Sequence, residues 1–200
     1  QEKSKLLVTG PPLLLPRWDV PGDAAAPDER RPSCLVCENL HSVRLRGDVL
    51  KSDFVAQFAE FAGDAEAKGL DVWLRPHPAG RFTDMKGSAL SVAVQKSVAP
   101  IYKENLGRFA FAVSAPSSIL FDLIAAGVPV AVWQDSAGEI DCRNYAGLPI
   151  ISRIGEWWEF AAKVRDDRAG LVARQGEFLR RLQIPENISA GFADVLSLSG

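Results

Sequence analysis

Short apolar runs, each stopped by a glycine, a proline or a polar turn, alternate along this chain with longer stretches in which apolar residues recur every three or four positions. Residues 5–9 form the first run and stop at Gly10-Pro11-Pro12. Residues 16–32, rich in Pro, Asp and Ala, read as a linker. A second strand is expected at 33–38, apolar at the successive positions 34–37 as in a strand covered on both faces. An irregular polar stretch with His41, Arg44 and Arg46 follows. Ser52 is then a candidate N-cap, after which Phe54, Val55, Phe58, Phe61 and Ala62 fall at helical spacing until Gly69, a C-cap glycine. A strand is expected at 70–74, a loop at 79–88, a further strand at 90–94 and a short helix at 100–106 with Pro100 in its first turn. Another strand (109–113), a helix (117–126) ended by Gly127 and a strand (129–133) follow. From residue 140 onward the pattern is helical. Trp157, Trp158, Phe160, Ala161 and Val164 share one face, a second helix spans 169–182, Pro185 interrupts, and a last helix runs from near Asn187 or Ser189 to near Leu196.

Alternation of strand and helix across 33–134 predicts an α/β fold, a doubly wound parallel sheet with right-handed crossovers and helices on both faces. The organisation expected is an entry strand and linker over 1–32, an α/β core over 33–150, and a C-terminal helical tail over 151–200 packing on that core. The 200 residues suffice for one core, and a formal charge of −2 supplies no field that would gather nucleic acid. No run approaches the roughly twenty apolar residues of a membrane span. The chain opens at Gln1, without a methionine or a signal-like segment, and reads as part of a longer polypeptide. Cys34, Cys37 and Cys142 are too few and too irregular for a disulfide framework, and Cys34-x-x-Cys37 lacks a second Cys/His pair. Small buried hydrophobes are the reading for Cys34 and Cys37, and no metal site is expected.

In an open α/β sheet, ligands bind outside the carboxyl ends of the strands. Two motifs fall there. Arg75-Pro76-His77-Pro78 closes one strand, and its alternation puts Arg75 and His77 on one face of a stiff, extended backbone. A guanidinium and an imidazole suit a phosphate or a leaving group, and a solvated surface turn is the plainer alternative. Ser114-Ala115-Pro116-Ser117-Ser118 closes another strand. Pro116 keeps Ala115 out of the helical region, so that a helix starts at Ser117 or Ser118 with free N–H groups that favour an anion. A serine there is also an ordinary cap that needs no ligand. Gly10 permits close backbone approach or a turn. Asp135 at a strand end is a candidate acceptor for ribose hydroxyls, while Glu139 and Asp141 read as solvated loop acids.

In their order, Val8-Thr9-Gly10-Pro11, the buried strand at 34–38, Arg75-Pro76-His77-Pro78, Ser117-Ser118-Ile119-Leu120-Phe121-Asp122, Gly127-Val128-Pro129 and Asp135 resemble the donor-binding, Rossmann-like C-terminal half of GT-B glycosyltransferases. The resemblance is to teichoic-acid glycerophosphotransferases and to capsule sialyl- and Kdo-transferases, and it covers most of residues 5–150. It implies a transferase of surface-polysaccharide synthesis using a CMP- or CDP-activated donor as substrate, with no separate cofactor. His77 and Arg75 would serve the leaving group, Ser117, Ser118 and Gly10 the donor phosphate, and Asp135 the ribose or base. Asp122 would have a structural role. The implied partners are the nucleotide-sugar donor and a glycan or lipid-linked acceptor held by an N-terminal domain. The implied place is the cytoplasm, or the inner membrane face as a peripheral protein. The sequence departs from the glycerophosphotransferase pattern at Ala115-Pro116 and at Glu38-Asn39-Leu40-His41. Two other readings are a UDP-sugar epimerase-like domain and a non-catalytic assembly domain with an aromatic surface at Trp157 and Trp158.

Overall fold

A computed structural model of the chain describes residues 31–40, 48–77, 94–182 and 193. The strand expected at 5–9 with Gly10, the stretch holding His41, Arg44 and Arg46, the loop at 79–88 and the helix after Pro185 fall outside the described residues, Ala193 excepted.

Six parallel strands form one sheet in the order β3-β2-β1-β4-β5-β6. They are β1 (Ser33–Glu38), β2 (Asp71–Pro76), β3 (Gln95–Lys96), β4 (Phe111–Ser114), β5 (Val130–Trp133) and β6 (Ile150–Ile151). The apolar runs 34–37, 111–113 and 130–133 are buried throughout, as a sheet covered on both faces requires. Helix α1 (Asp48–Ala65) joins β1 to β2, and α2 (Ile119–Ala125) joins β4 to β5. The first connection steps one way along the sheet and the second the other way. Right-handed crossovers therefore set α1 and α2 on opposite faces, as the doubly wound expectation requires.

Helix α3 (Ile154–Arg181) serves both faces. Its first half packs on α1, with Trp157 against Phe54 and Phe61; its second half packs on α2, with Phe178 6.2 Å from Phe121 between ring centroids. The two halves meet at Asp167, whose φ of −145° and ψ of 55° are not helical. Next to this break, Arg168 donates to the carbonyls of Ala110 (2.7 Å) and Gly127 (3.0 Å), at the amino ends of β4 and β5. Gln175, fully buried, gives Val130 N–H an acceptor and donates to the Val128 carbonyl at 3.0 Å. The two helices expected over the tail are the two halves of α3.

Several local expectations are corrected. Helix α1 starts at Asp48, before Ser52, because buried Leu50 extends its apolar face back by a turn. The segment expected as a helix at 100–106 is a pair of 3₁₀ turns, Ile101–Lys103 and Leu106–Arg108, split by the extended backbone of Glu104. A strand lies at Gln95–Lys96, beyond the expected 90–94, of which 90–93 lie outside the described residues. Residues 140–153 hold a 3₁₀ turn (Arg143–Tyr145) and β6 where a helical region was expected. Trp157 is 0% exposed, and Trp158 lies against Phe61 (4.4 Å) with Lys68 over its ring (3.8 Å), so these indoles pack the layer between α1 and α3 and form no open aromatic surface.

All three cysteines are buried. Burial raises each thiol above its ordinary value of 9.0, Cys142 to about 11 and Cys37 to about 12, with Cys34 higher still. The folded protein thus keeps protons that an unfolded chain releases above pH 9, and unfolding is favoured as pH rises. This contribution is complete below pH 9 and is lost on the way to pH 12. Urea midpoints should therefore fall between pH 8.5 and 10, and the double variant Cys34→Ala/Cys37→Ala should lose part of that slope. An unchanged slope in the double variant contradicts the assignment.

Candidate functional site

The strand order reverses between β1 and β4, and their carboxyl ends open the crevice in which such sheets take ligands. Four strand ends border it. Cys37 of β1 is level with Arg75 of β2 on one side and with Ser114 of β4 on the other. His77 and the turn 115–118 therefore lie at the same end of the sheet, on the strands that flank β1, roughly 10 Å apart at two strand spacings.

The turn after β4 is built from its sequence. Ser114 and Ala115 are fully buried, and Ser114 Oγ donates back to the Ala115 carbonyl (2.8 Å). Helix α2 begins after Ser118, two residues later than the expected 117, and Ser117 Oγ accepts the N–H of Ile119 (3.3 Å). That hydroxyl does the work of a cap. Ser118 is exposed, its hydroxyl makes no cap bond, and the N–H groups of Ser117 and Ser118 have no acceptor among the described residues. These donors sit at the positive end of a seven-residue helix.

Across β1, His77 is half-buried directly after β2. Arg75 is turned elsewhere. Its Nη1 donates to Ser97 Oγ (3.2 Å) and to the Ala99 carbonyl (2.9 Å), in the segment that follows β3. Ser97 Oγ in turn donates to Glu104 Oε2 (2.7 Å), while Arg108 pairs with Glu104 (2.8 Å) and lies over the Trp73 ring (3.9 Å). These bonds make Arg75 a brace for the edge of the sheet. His77 and Arg75, expected to aim at one point, are not brought together on a common target by these contacts.

Asp135, after β5, is 1% exposed. Its carboxylate accepts the N–H groups of Glu139 (3.1 Å) and Ile140 (2.7 Å), and its carbonyl accepts that of Gly138 (2.9 Å). The residue expected to meet ribose thus holds its own loop. Glu139 and Asp141 are exposed, as expected, and Asp141 pairs with Arg143 (2.7 Å). Gly10 lies outside the described residues.

Sequence reasoning passed over two residues at the end of β1. Glu38 is 1% exposed at the mouth of the central strand, and the side-chain carbonyl of Asn39 is buried without a partner among the described residues. A charged residue closing the apolar run 34–37 is the pattern that points to them. It also missed Asp53 and Gln57 of α1, whose bonds run to residues more than eighty positions away or nearly so. Among the described residues no helix is long and apolar enough to cross a membrane.

No family model matches the sequence, and no curated protein matches it. The fold does have solved counterparts. The glycosyltransferase SnogD from Streptomyces nogalater superposes with a TM-score of 0.54 at 17% identity, over 90% of this chain and 46% of that one. The spinosyn rhamnosyltransferase SpnG gives 0.55 at 16% identity, over 90% and 48%, and 0.55 again when complexed with thymidine diphosphate. The calicheamicin glycosyltransferase CalG4 gives 0.52 at 14%, over 83% and 40%. The chain therefore has the Rossmann-type fold of one half of a GT-B-like glycosyltransferase, and it spans slightly under half the length of SnogD or SpnG.

Replacing Asp135 with Ala leaves the N–H groups of Glu139 and Ile140 without their acceptor and should destabilise the fold by about 2–3 kcal/mol. A urea midpoint that stays at the wild-type value contradicts the loop-holding role.

Proposed function

We propose that this chain is the donor-binding half of a transferase that takes a sugar from a nucleotide carrier, with the nucleotide seated in the crevice between the ends of β1 and β4. The observation that carries the reading is the reversal of strand order at that point, in a fold shared with several glycosyltransferases. The N–H groups of Ser117 and Ser118, without an acceptor among the described residues, and the exposed Ser118 hydroxyl supply donors for a phosphate there, and His77 stands across β1 from them.

The reaction is a displacement at the activated carbon. The acceptor oxygen forms its bond as the bond to the carrier phosphate breaks, and the electron pair leaves on the phosphate. Fixed donors aimed at that growing charge lower the barrier. Ser118 and the two N–H groups take this part, His77 donates to the leaving group, and Ser117 shapes the turn that presents them. Arg75 and Asp135 act through the backbone they hold. The acceptor's proton passes to a base outside this half.

The resemblance to the teichoic-acid and capsule enzymes supports a cytidine carrier and a glycan or lipid-linked acceptor in surface-polysaccharide synthesis. The thymidine diphosphate complex of SpnG supports a pyrimidine nucleoside diphosphate as the ligand class.

Calorimetric titration with CMP, CDP, UDP, thymidine diphosphate and the parent nucleosides tests this. A diphosphate should bind more tightly than its nucleoside. Ser118→Ala should weaken binding roughly ten- to hundredfold, the worth of one hydrogen bond to a charged group, with the urea midpoint unchanged because Ser118 is exposed. Binding that ignores both Ser118→Ala and His77→Ala, or nucleosides bound as well as diphosphates, overturns the proposal.

A further inference from the structure

The loop after β5 is held from two sides. From within, Asp135 gathers its far end, as described above. From without, Asp53 of α1 reaches across, its Oδ2 accepting the N–H of Ser136 at 2.8 Å over a sequence separation of 83 residues. The other Asp53 oxygen accepts from Gln57 Nε2 (2.9 Å). Gln57 Nε2 also donates to the Ser152 carbonyl (2.9 Å), where β6 turns into α3, and Gln57 Oε1 accepts the indole N–H of fully buried Trp133 (3.4 Å). One carboxylate and one amide, a single helical turn apart on α1, thus join the start of the β5 loop, the β6–α3 turn and the core.

We propose that Asp53 and Gln57 are positioning residues for the ligand crevice, fixing the β5 loop against α1 so that residues 136–139 keep one geometry toward a bound nucleotide-sugar. The inference rests on the site reading given under the proposed function. Three features support it. Ser136, Ala137, Gly138 and Glu139 are all exposed at the carboxyl end of β5, so no packing orients them. The Asp53–Ser136 bond is at the surface, where its share of global stability is small. Its effect is local to the loop, because it sets the loop's entry point while Asp135 sets its exit. Gln57 keeps Asp53 in the rotamer that reaches Ser136, and its own orientation is fixed by Trp133 and Ser152.

Three variants separate this role from a structural one. Asp53→Ala removes the acceptor for Ser136 N–H, Asp53→Asn keeps one carbonyl oxygen for Ser136 N–H but gives up the bond from Gln57 Nε2, and Gln57→Ala removes the donor that holds Asp53. Thymidine diphosphate and CDP are titrated into each, with the Ser136 amide resonance and the urea midpoint followed in parallel. Asp53→Ala should shift the Ser136 amide and weaken binding roughly three- to thirtyfold, the range of coupling from residues that do not touch a ligand. Gln57→Ala should lie between it and the wild type, and Asp53→Asn should restore affinity to within about threefold of the wild type. Wild-type affinity in Asp53→Ala, with the Ser136 amide shifted, overturns the positioning role and leaves the site reading standing. A loss in Asp53→Ala that Asp53→Asn does not restore and that follows the urea midpoint also overturns it. A wild-type chain that binds neither nucleotide sinks the site reading first, and this inference with it.

Discussion

A parallel sheet that grows in both directions from its middle must send its connections to opposite faces, and at the point of divergence no connection covers the carboxyl ends. Here the divergence falls between β1 and β4. Three segments of unrelated sequence, ending at Glu38, His77 and Ser118, meet there because the strand order brings them there. No pairwise attraction between them is needed.

The polar residues around this opening divide into those that hold the frame and those that face outward. Arg75 ties to Ser97 and Ala99, Asp135 to its own loop, Ser117 to Ile119, and Asp53 to Ser136. Their donors and acceptors are committed to backbone that must stay in place. Ser118 and the N–H groups at the start of α2 remain uncommitted among the described residues. A binding crevice on loops needs both kinds, since the outward groups are only as well placed as the segments that carry them. The opposite end of the sheet is closed by Arg168 and the break at Asp167, which let one helix wrap from the α1 face to the α2 face.

Much of this architecture was legible in the sequence. The runs 34–37, 109–113 and 129–133 were unbroken and apolar, and Gly69 and Gly127, both with φ near +70°, ended helices as expected. β6 escaped because two residues carry no periodicity, and the helix at 100–106 failed because Glu104 is drawn away to Ser97 and Arg108. The site was legible as a place but only partly as a set of residues. Position relative to strand ends located His77 and Ser117-Ser118 at one end of the sheet. The direction of a side chain depends on partners distant in sequence, as with Arg75 and Ala99, and local pattern has no access to them. Asp53 and Gln57 were invisible for the same reason: on a helix they look like ordinary solvated positions.

The central claim is that the crevice at the reversal of strand order receives a nucleoside diphosphate. Amide shift mapping on isotope-labelled chain titrated with thymidine diphosphate or CDP tests it most directly. The account predicts shifts gathered at residues 37–40, 75–77, 114–119 and 134–140, with the amino ends of the strands unmoved. Shifts gathered instead around Arg31, Glu66 and Asp71 at the opposite end of the sheet, or absent at saturating nucleotide, would contradict it.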